Sequence, residues 1–445
     1  MEQTPLVNAL RRHQAKRQAA FHTPGHKGNP SALPKDLLSL DFTELPDTDS
    51  LFEASGPILA AERHAAKVLG THRTLFSAGG CTLCIQAMLR LVSMHEKRKI
   101  IASRVLHRSA VNTMALLDLE PVWLMPTPNA GPGVPGRVTA QTVAQALQAH
   151  PDAGAVYLTS PDYFGVLSPI QEIAAVCRQF SVPLLVDNAH GAHLFYTSQP
   201  HPLTAGAAMT ADSPHKTLPV LTGGAWLHLS DDRFDDSAKD AMALFGSTSP
   251  SYPIMASLDL CADWLSRHGK EAYPVLEQQV AALKEKARAL GYTLPQGDCD
   301  PTRLSLGTGQ LSLDGVALAQ QFRQNGVEPE HWDSDNIVFI ATPWNTPEEL
   351  DRLSLAMERA AQTSPAPRKT HPPLPSLPKA VLSPRQAMFA PWEVVPLSQA
   401  VGRIASDAAC PCPPGVPVVM PGERITEEIT SFLHRYGFLT AKVVK

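Results

Sequence analysis

Two charged residues of this chain stand where chemistry would need them. Val182-Pro183-Leu184-Leu185-Val186 is a short apolar run of the kind that forms a buried parallel strand, and it ends in Asp187. Ligands of open α/β sheets sit at the carboxyl ends of strands, so such a strand delivers the Asp187 carboxylate to a site. Lys216 follows about one supersecondary unit later, in the polar turn Ser213-Pro214-His215-Lys216-Thr217 that precedes an apolar run from Leu218. An amine that can hold an aldehyde as a Schiff base, with an acid that can keep a pyridine nitrogen protonated, is the pair that pyridoxal phosphate chemistry requires. Each residue alone has a plainer explanation: a turn lysine is usually a solvated charge, and a strand-end aspartate often caps the next helix.

Other residues fit the same chemistry less specifically. Gly79-Gly80-Cys81-Thr82 opens a helical pattern, and backbone N–H groups at a helix start can hold an anion such as a phosphate. A bare turn explains the same four residues. His107 follows an apolar run, and His190 lies three residues beyond Asp187; isolated histidines in such places are commonly structural. His193 reads as a packing neighbour. Cys81-Thr82-Leu83-Cys84 has zinc-half-site spacing, but Cys410-Pro411-Cys412 does not supply the matching second pair, so small buried residues are expected and no metal.

These residues need a scaffold, and 445 residues can supply more than one domain. With 44% hydrophobic and 18% charged residues and a net charge of −4, nothing points to nucleic acid or an anionic membrane as a partner. The polar start and seven cysteines, an odd number, fit a reducing cytoplasm. Leu6 to Ala20 is basic and helix-compatible. Pro57 to Leu69 has amphipathic helical spacing with Gly70 as its stop, and a second helix is predicted over Thr82 to Met94. Apolar runs at 99–102, 122–125, 155–159, 182–187 and 225–229 alternate with helical patterns at 138–150 and 169–180. That alternation predicts an α/β fold with a mostly parallel sheet. After Tyr252 the pattern changes to helices at 254–268, 273–290 and 348–361 with strands at 304–313 and 336–341, a smaller α+β unit. Prolines crowd residues 365–378 as a stiff linker, and a last helix is expected near Ile425 to Tyr436. The divisions are an arm (1–45), a cofactor-binding large domain (46–252), a small domain (253–362), a linker (363–379) and a C-terminal domain (380–445).

Several segments, in consistent order, resemble the Orn/Lys/Arg decarboxylases, basic amino acid decarboxylases of the fold-type I pyridoxal phosphate class. They are Phe21-His22-Thr23-Pro24-Gly25-His26-Lys27-Gly28, Asp41 to Pro46, Ser160-Pro161-Asp162-Tyr163-Phe164-Gly165-Val166, Asp187 to His193, Ser213 to Thr217, Thr248-Ser249-Pro250-Ser251-Tyr252, and Pro413 to Pro417 with Pro421-Gly422-Glu423. The resemblance implies an aspartate aminotransferase-like large domain binding pyridoxal 5'-phosphate, and decarboxylation of lysine, arginine or ornithine to a diamine or agmatine. It implies that Lys216 carries the cofactor, Asp187 faces the ring nitrogen, His107 stacks on the ring, and His190 reaches the ring hydroxyl or the reacting centre. Ser213 and His215, with Gly80, Cys81 and Thr82, would hold the phosphate, and Thr248 would reach the phosphate of a partner subunit in a homodimer. Where the family usually has Ser or Thr, this chain has Cys81, which puts a hydroxyl contact there in doubt but not a backbone one. Long members carry an N-terminal wing domain; here the Pro-Gly-His-Lys motif is reached by residue 27, so that domain is not expected. Asp187 and Lys216 alone do not separate decarboxylation from transamination or lyase chemistry, because the orientation of the cleaved bond decides among them. A non-catalytic cofactor-binding regulator is the remaining alternative. No motif identifies the residues that recognise the distal substrate charge.

Overall fold

The computed structural model describes all residues except 1–14, 23–24, 28, 30–36, 95–96, 128–129, 132, 309–310, 312–313, 363–372 and 413–414. Strand β1 (Ala19–Phe21) comes first and helix α1 (Pro57–Leu69) follows, ending at Gly70 as predicted. Of the basic arm, Ala19 and Ala20 are extended rather than helical, and residues 6–14 lie outside the described part. Then come β2 (Arg73–Ser77), α2 (Gly80–Ser93), β3 (Lys99–Ser103), α3 (Arg108–Leu116), β4 (Glu120–Leu124), α4 (Ala140–Ala149), β5 (Ala153–Thr159), α5 (Ile170–Gln179) and β6 (Leu184–Asn188). Strand β7 (Met209–Asp212), the one-turn helix α6 (Pro214–Thr217), β8 (Ala225–Leu229) and α7 (Asp235–Ala243) complete a sheet of order β2-β8-β7-β6-β5-β3-β4. Strands β4, β3, β5, β6 and β7 run parallel, and β8 is antiparallel to both its neighbours.

The sheet is covered on both faces, which is why its central strands read as continuous apolar runs. Along β5, Ala155 and Tyr157 face a core built on Leu83, Ile85 and Met88 of α2, while Val156 and Leu158 face Val143, Leu147 and Ile173 of α4 and α5. On β6, Leu185 joins the α2 side and Leu184 and Val186 join the other. The strand period of two therefore turns Asp187 toward α2.

Beyond the sheet lie α8 (Tyr252–Trp264), α9 (Lys270–Ala289), β9 (Arg303–Gly307), α10 (Gly315–Gln324), β10 (Val327–Pro329), β11 (His331–Trp332), β12 (Asn336–Ile340) and α11 (Pro347–Ala361). Strands β11, β12 and β9 form an antiparallel sheet, and β10 pairs in parallel with β1. The N-terminal segment is thereby fastened to this smaller unit. The C-terminal segment has α12 (Pro384–Phe389), β13 (Trp392–Pro396), α13 (Glu427–Arg435) and β14 (Thr440–Val444), with β13 and β14 paired antiparallel over their own small core. It meets the large sheet through a buried ion pair. Arg104, fully buried just after β3, makes two bonds to Glu423 at 2.6 and 2.7 Å and donates a third to the Pro417 carbonyl at 2.8 Å. The Pro-Gly-Glu motif thus ends in a carboxylate with a fixed structural partner. No described helix is long and apolar enough to cross a membrane.

Candidate active site

The carboxyl ends of β5, β6 and β7, the start of α2 and the loop before α3 surround a cavity of about 360 Å³. Nine residues singled out from the sequence line it: Gly80, Cys81, Thr82, His107, Asp187, His190, Ser213, His215 and Lys216. Thr248 does not; it is exposed in the segment between α7 and α8.

Lys216 sits in α6 rather than in an open turn, because Pro214 at the first helical position and the Leu218 N–H to Pro214 carbonyl bond close one helical turn. Its Nζ lies 3.0 Å from His190 Nε2. Burial is the main cause that lowers the Lys216 pKa. On the other side of the imidazole, Arg303 Nη1 and Nη2 each approach Nδ1 at 3.4 Å. A guanidinium can only donate, so Nδ1 accepts and the ring proton resides on Nε2, facing the lysine. Burial, Lys216 and Arg303 together hold His190 well below its usual pKa, as a neutral ring. A donor aimed at Nζ favours the free amine, the form that can attack a carbonyl.

Asp187 is 1% exposed, and its Oδ1 accepts the Ala189 N–H at 3.1 Å while Oδ2 lies 3.4 Å from the Tyr157 hydroxyl. Burial raises its pKa, and Lys216 and His107 oppose that shift. A buried carboxylate on a cavity wall, pushed toward protonation, fits a cationic ring nitrogen as the missing opposite charge. Cys81 Sγ lies 4.0 Å from Asp187 Oδ1, and burial keeps the thiol protonated. Its side chain therefore faces the acid. Anion binding at this point falls to backbone groups.

Those groups are fewer than the sequence suggested. Gly80 adopts φ +67°, a conformation that favours glycine, but its N–H is already bonded to the Gly223 carbonyl at 2.8 Å. The N–H groups of Cys81 and Thr82 follow in the first turn of α2, where helix geometry gives them no acceptor. His215 donates Nδ1–H to the Gly224 carbonyl at 2.9 Å, which leaves Nε2 available. His107 caps α3: its Nδ1 accepts the Ser109 N–H at 3.2 Å, fixing the exposed ring at the cavity edge. The donors, the acid and the amine fit pyridoxal 5'-phosphate.

Several residues here were not singled out by sequence. Asp162 lines the cavity with Oδ1 held by the N–H groups of Phe164 and Val166, Oδ2 without a hydrogen-bond partner, and a pKa raised to about 7, chiefly by burial. Tyr163 lies edge-on to His190 at 5.0 Å. Both belong to the Ser160–Val166 motif, which was a usable signal. Arg303 had none, since only the fold brings β9 to the end of β6. It also binds the Tyr163 carbonyl at 3.0 Å and lies 3.8 Å from Asp300. Asp300 in turn bonds His193 at 3.0 Å, so His193 anchors a buried network rather than merely packing. The N-terminal motif also reaches α6: the Gly25 N–H bonds the His215 carbonyl at 2.7 Å. Thr23, Pro24 and Gly28 of that motif lie outside the described residues.

Comparison with known proteins agrees with this geometry. The arginine decarboxylase of Bacillus subtilis is 30% identical over 97% of this chain and 93% of its own length. The constitutive lysine decarboxylase of Escherichia coli is 23% identical, over 96% of this chain and 76% of its own. The structure of lysine decarboxylase A from Pseudomonas aeruginosa superposes with a TM-score of 0.75 at 17% identity, covering 99% of this chain and 80% of that one. The fold is that of the fold-type I pyridoxal phosphate enzymes. The family model for the Orn/Lys/Arg decarboxylase major domain matches residues 4–291 and that for the C-terminal domain matches 370–441. A lysine and an acid facing one cavity would suit many enzymes of this fold, but joined to that C-terminal domain they place the chain in the Orn/Lys/Arg decarboxylase family.

Proposed function

We propose that this decarboxylase of basic amino acids uses pyridoxal 5'-phosphate held by Lys216 and Asp187, and releases CO2 from arginine, lysine or ornithine. The observation that carries the reading is the Lys216 amine 3.0 Å from a neutral His190, across one cavity from the buried Asp187. Lys216 would bind the aldehyde carbon and Asp187 the ring nitrogen; the first N–H groups of α2, Ser213 and His215 would take the phosphate, and His107 would cover the ring. When bound, the cofactor accepts the electron pair left as the carboxylate departs. The protein supplies the rest. Arg303 fixes the His190 tautomer, and His190 keeps a proton on Nε2 beside Lys216 Nζ, so the pair can hold and return one proton at that point. Asp162 lines the cavity with a carboxylate oxygen, Oδ2, that has no hydrogen-bond partner, and would meet the distal cation of the substrate. Thr248, exposed in a single chain, would act on a second subunit.

Product analysis decides the substrate. Cofactor-loaded protein is incubated with the three amino acids in parallel, and CO2 and amine are quantified. One substrate should give equal amounts of both. A keto acid product without CO2 would instead favour transamination and overturn the reading.

A further inference from the structure

At the seam between the small sheet and the C-terminal domain, three ligand-type side chains converge outside the active site. His331 Nε2, an Asp333 carboxylate oxygen and Cys412 Sγ all lie within 4.8 Å of one another. We propose that they bind one divalent cation of the zinc class, which ties the C-terminal domain to β11 beside the active-site cavity.

The distances suit such an ion. Tetrahedral zinc with Zn–S near 2.3 Å and Zn–N near 2.0–2.1 Å sets the S···N edge at about 3.6 Å. Cys412 Sγ is 3.5 Å from His331 Nε2 and 3.8 Å from Asp333 Oδ2. Two ligands are already oriented. Asp333 Oδ1 accepts the N–H groups of Asp335 and Asn336 at 2.7 and 2.8 Å, which turns Oδ2 toward the thiol. His331 is held in β11 by pairing with β12, and its ring meets Tyr163 edge-on at 5.0 Å. A thiolate and a carboxylate balance a divalent charge, and water completes the coordination. Binding forms a metal–sulfur bond and releases the thiol proton to solvent. A bound cation stabilises the thiolate form of the cysteine that ligates it. Cys412 is exposed, so the ion has a way in.

The other cluster of this kind among the described residues, His201, Asp212 and His228, lacks these features. All three side chains are fully buried, and His201 Nε2 already lies 2.8 Å from Asp212 Oδ2 and 2.8 Å from the Asn188 side-chain amide. The two clusters separate on access: Cys412 is exposed, whereas no member of the second cluster is.

The seam site also touches the cavity. Tyr163 stands between His331 and His190, and Gly415, three residues after Cys412, forms part of the cavity wall. The test uses untagged, cofactor-loaded, chelator-treated protein titrated with zinc against a chromophoric chelator, and with cobalt(II) for its sulfur charge-transfer band. One equivalent per chain is expected. Cys412→Ser should abolish the cobalt–sulfur band, and Cys412→Ser and His331→Gln should each weaken zinc binding about tenfold or more. Cofactor absorbance of each variant reports that it has folded. Sub-stoichiometric uptake by the wild type, or equal affinity in the wild type and both folded variants, would overturn the proposal.

Discussion

At the scale of single residues, the site works by controlling where protons rest. Lys216 must be an uncharged amine, and burial together with the His190 N–H brings that about. Lys216→Ala should abolish turnover and remove borohydride-reducible attachment of the cofactor, while the unfolding midpoint changes little; retained attachment would mean that another lysine carries it. Asp162 makes a different demand. Burial raises its pKa to about 7, so it is ionised above that pH and progressively protonated below it; if it meets the substrate's distal cation as proposed, that attraction fades as pH falls through about 7. KM should therefore rise on acidification, and Asp162→Asn should raise KM about tenfold or more at pH 8 and flatten that limb, the loss expected for a charge-assisted hydrogen bond. Steady-state kinetics from pH 6 to 9 check both. Asp187, Lys216, His190 and His107 were legible in the sequence because each follows an apolar strand or lies in a recognisable motif. Arg303 was not: it lies on another sheet, and nothing near it in sequence announces His190.

At the scale of elements, legibility followed apolarity. Strands β3, β5 and β8 stand close to their expected bounds because they are buried on both faces. Strands β2 and β7 were missed because they carry Arg73, Thr74, Thr210 and Asp212, polar residues that read as loop. Two of them find histidine partners: Thr74 meets His228 at 2.8 Å, and Asp212 Oδ2 meets His201 at 2.8 Å. A buried strand may be polar when its side chains share a network. Strand β1 escaped notice because three residues paired with a segment so distant leave no local pattern. The same N-terminal stretch bears on α6. A Cβ on Gly25 would lie 2.5 Å from the Leu218 carbonyl oxygen and 2.7 Å from its nitrogen, both backbone atoms that cannot rotate away. Gly25→Ala should therefore displace the helix holding Lys216 and lower kcat by up to about 100-fold, with only about 1–3 kcal/mol of stability lost. Comparing kcat with the denaturation midpoint shows whether placement or folding has failed.

At the scale of the molecule, the parts hold one another in place. The pairing of Arg104 with Glu423 leaves both charges without water, so removing one partner strands the other. Glu423→Ala should cost about 3–5 kcal/mol, read as a lower denaturation midpoint, whereas a surface pair would cost under about 1 kcal/mol. A midpoint equal to that of the wild type would show that water reaches the guanidinium. If Thr248 completes a neighbour's site, activity and cofactor affinity should fall together as the protein is diluted below the dissociation constant of its dimer, because binding that bridges two chains stabilises their union. Sedimentation and activity over one concentration series test this, and a fully active monomer would confine the site to one chain.

The same ion pair sets a schedule for synthesis. Arg104 leaves the ribosome 319 positions before its partner. Until then a guanidinium destined for the interior, three residues from His107, has no carboxylate to meet it. The cavity wall that Gly415 contributes is missing for the same interval. A nascent chain that holds its large sheet but has not yet reached Gly415 and Glu423 therefore lacks one wall of the cavity and the carboxylate that meets Arg104.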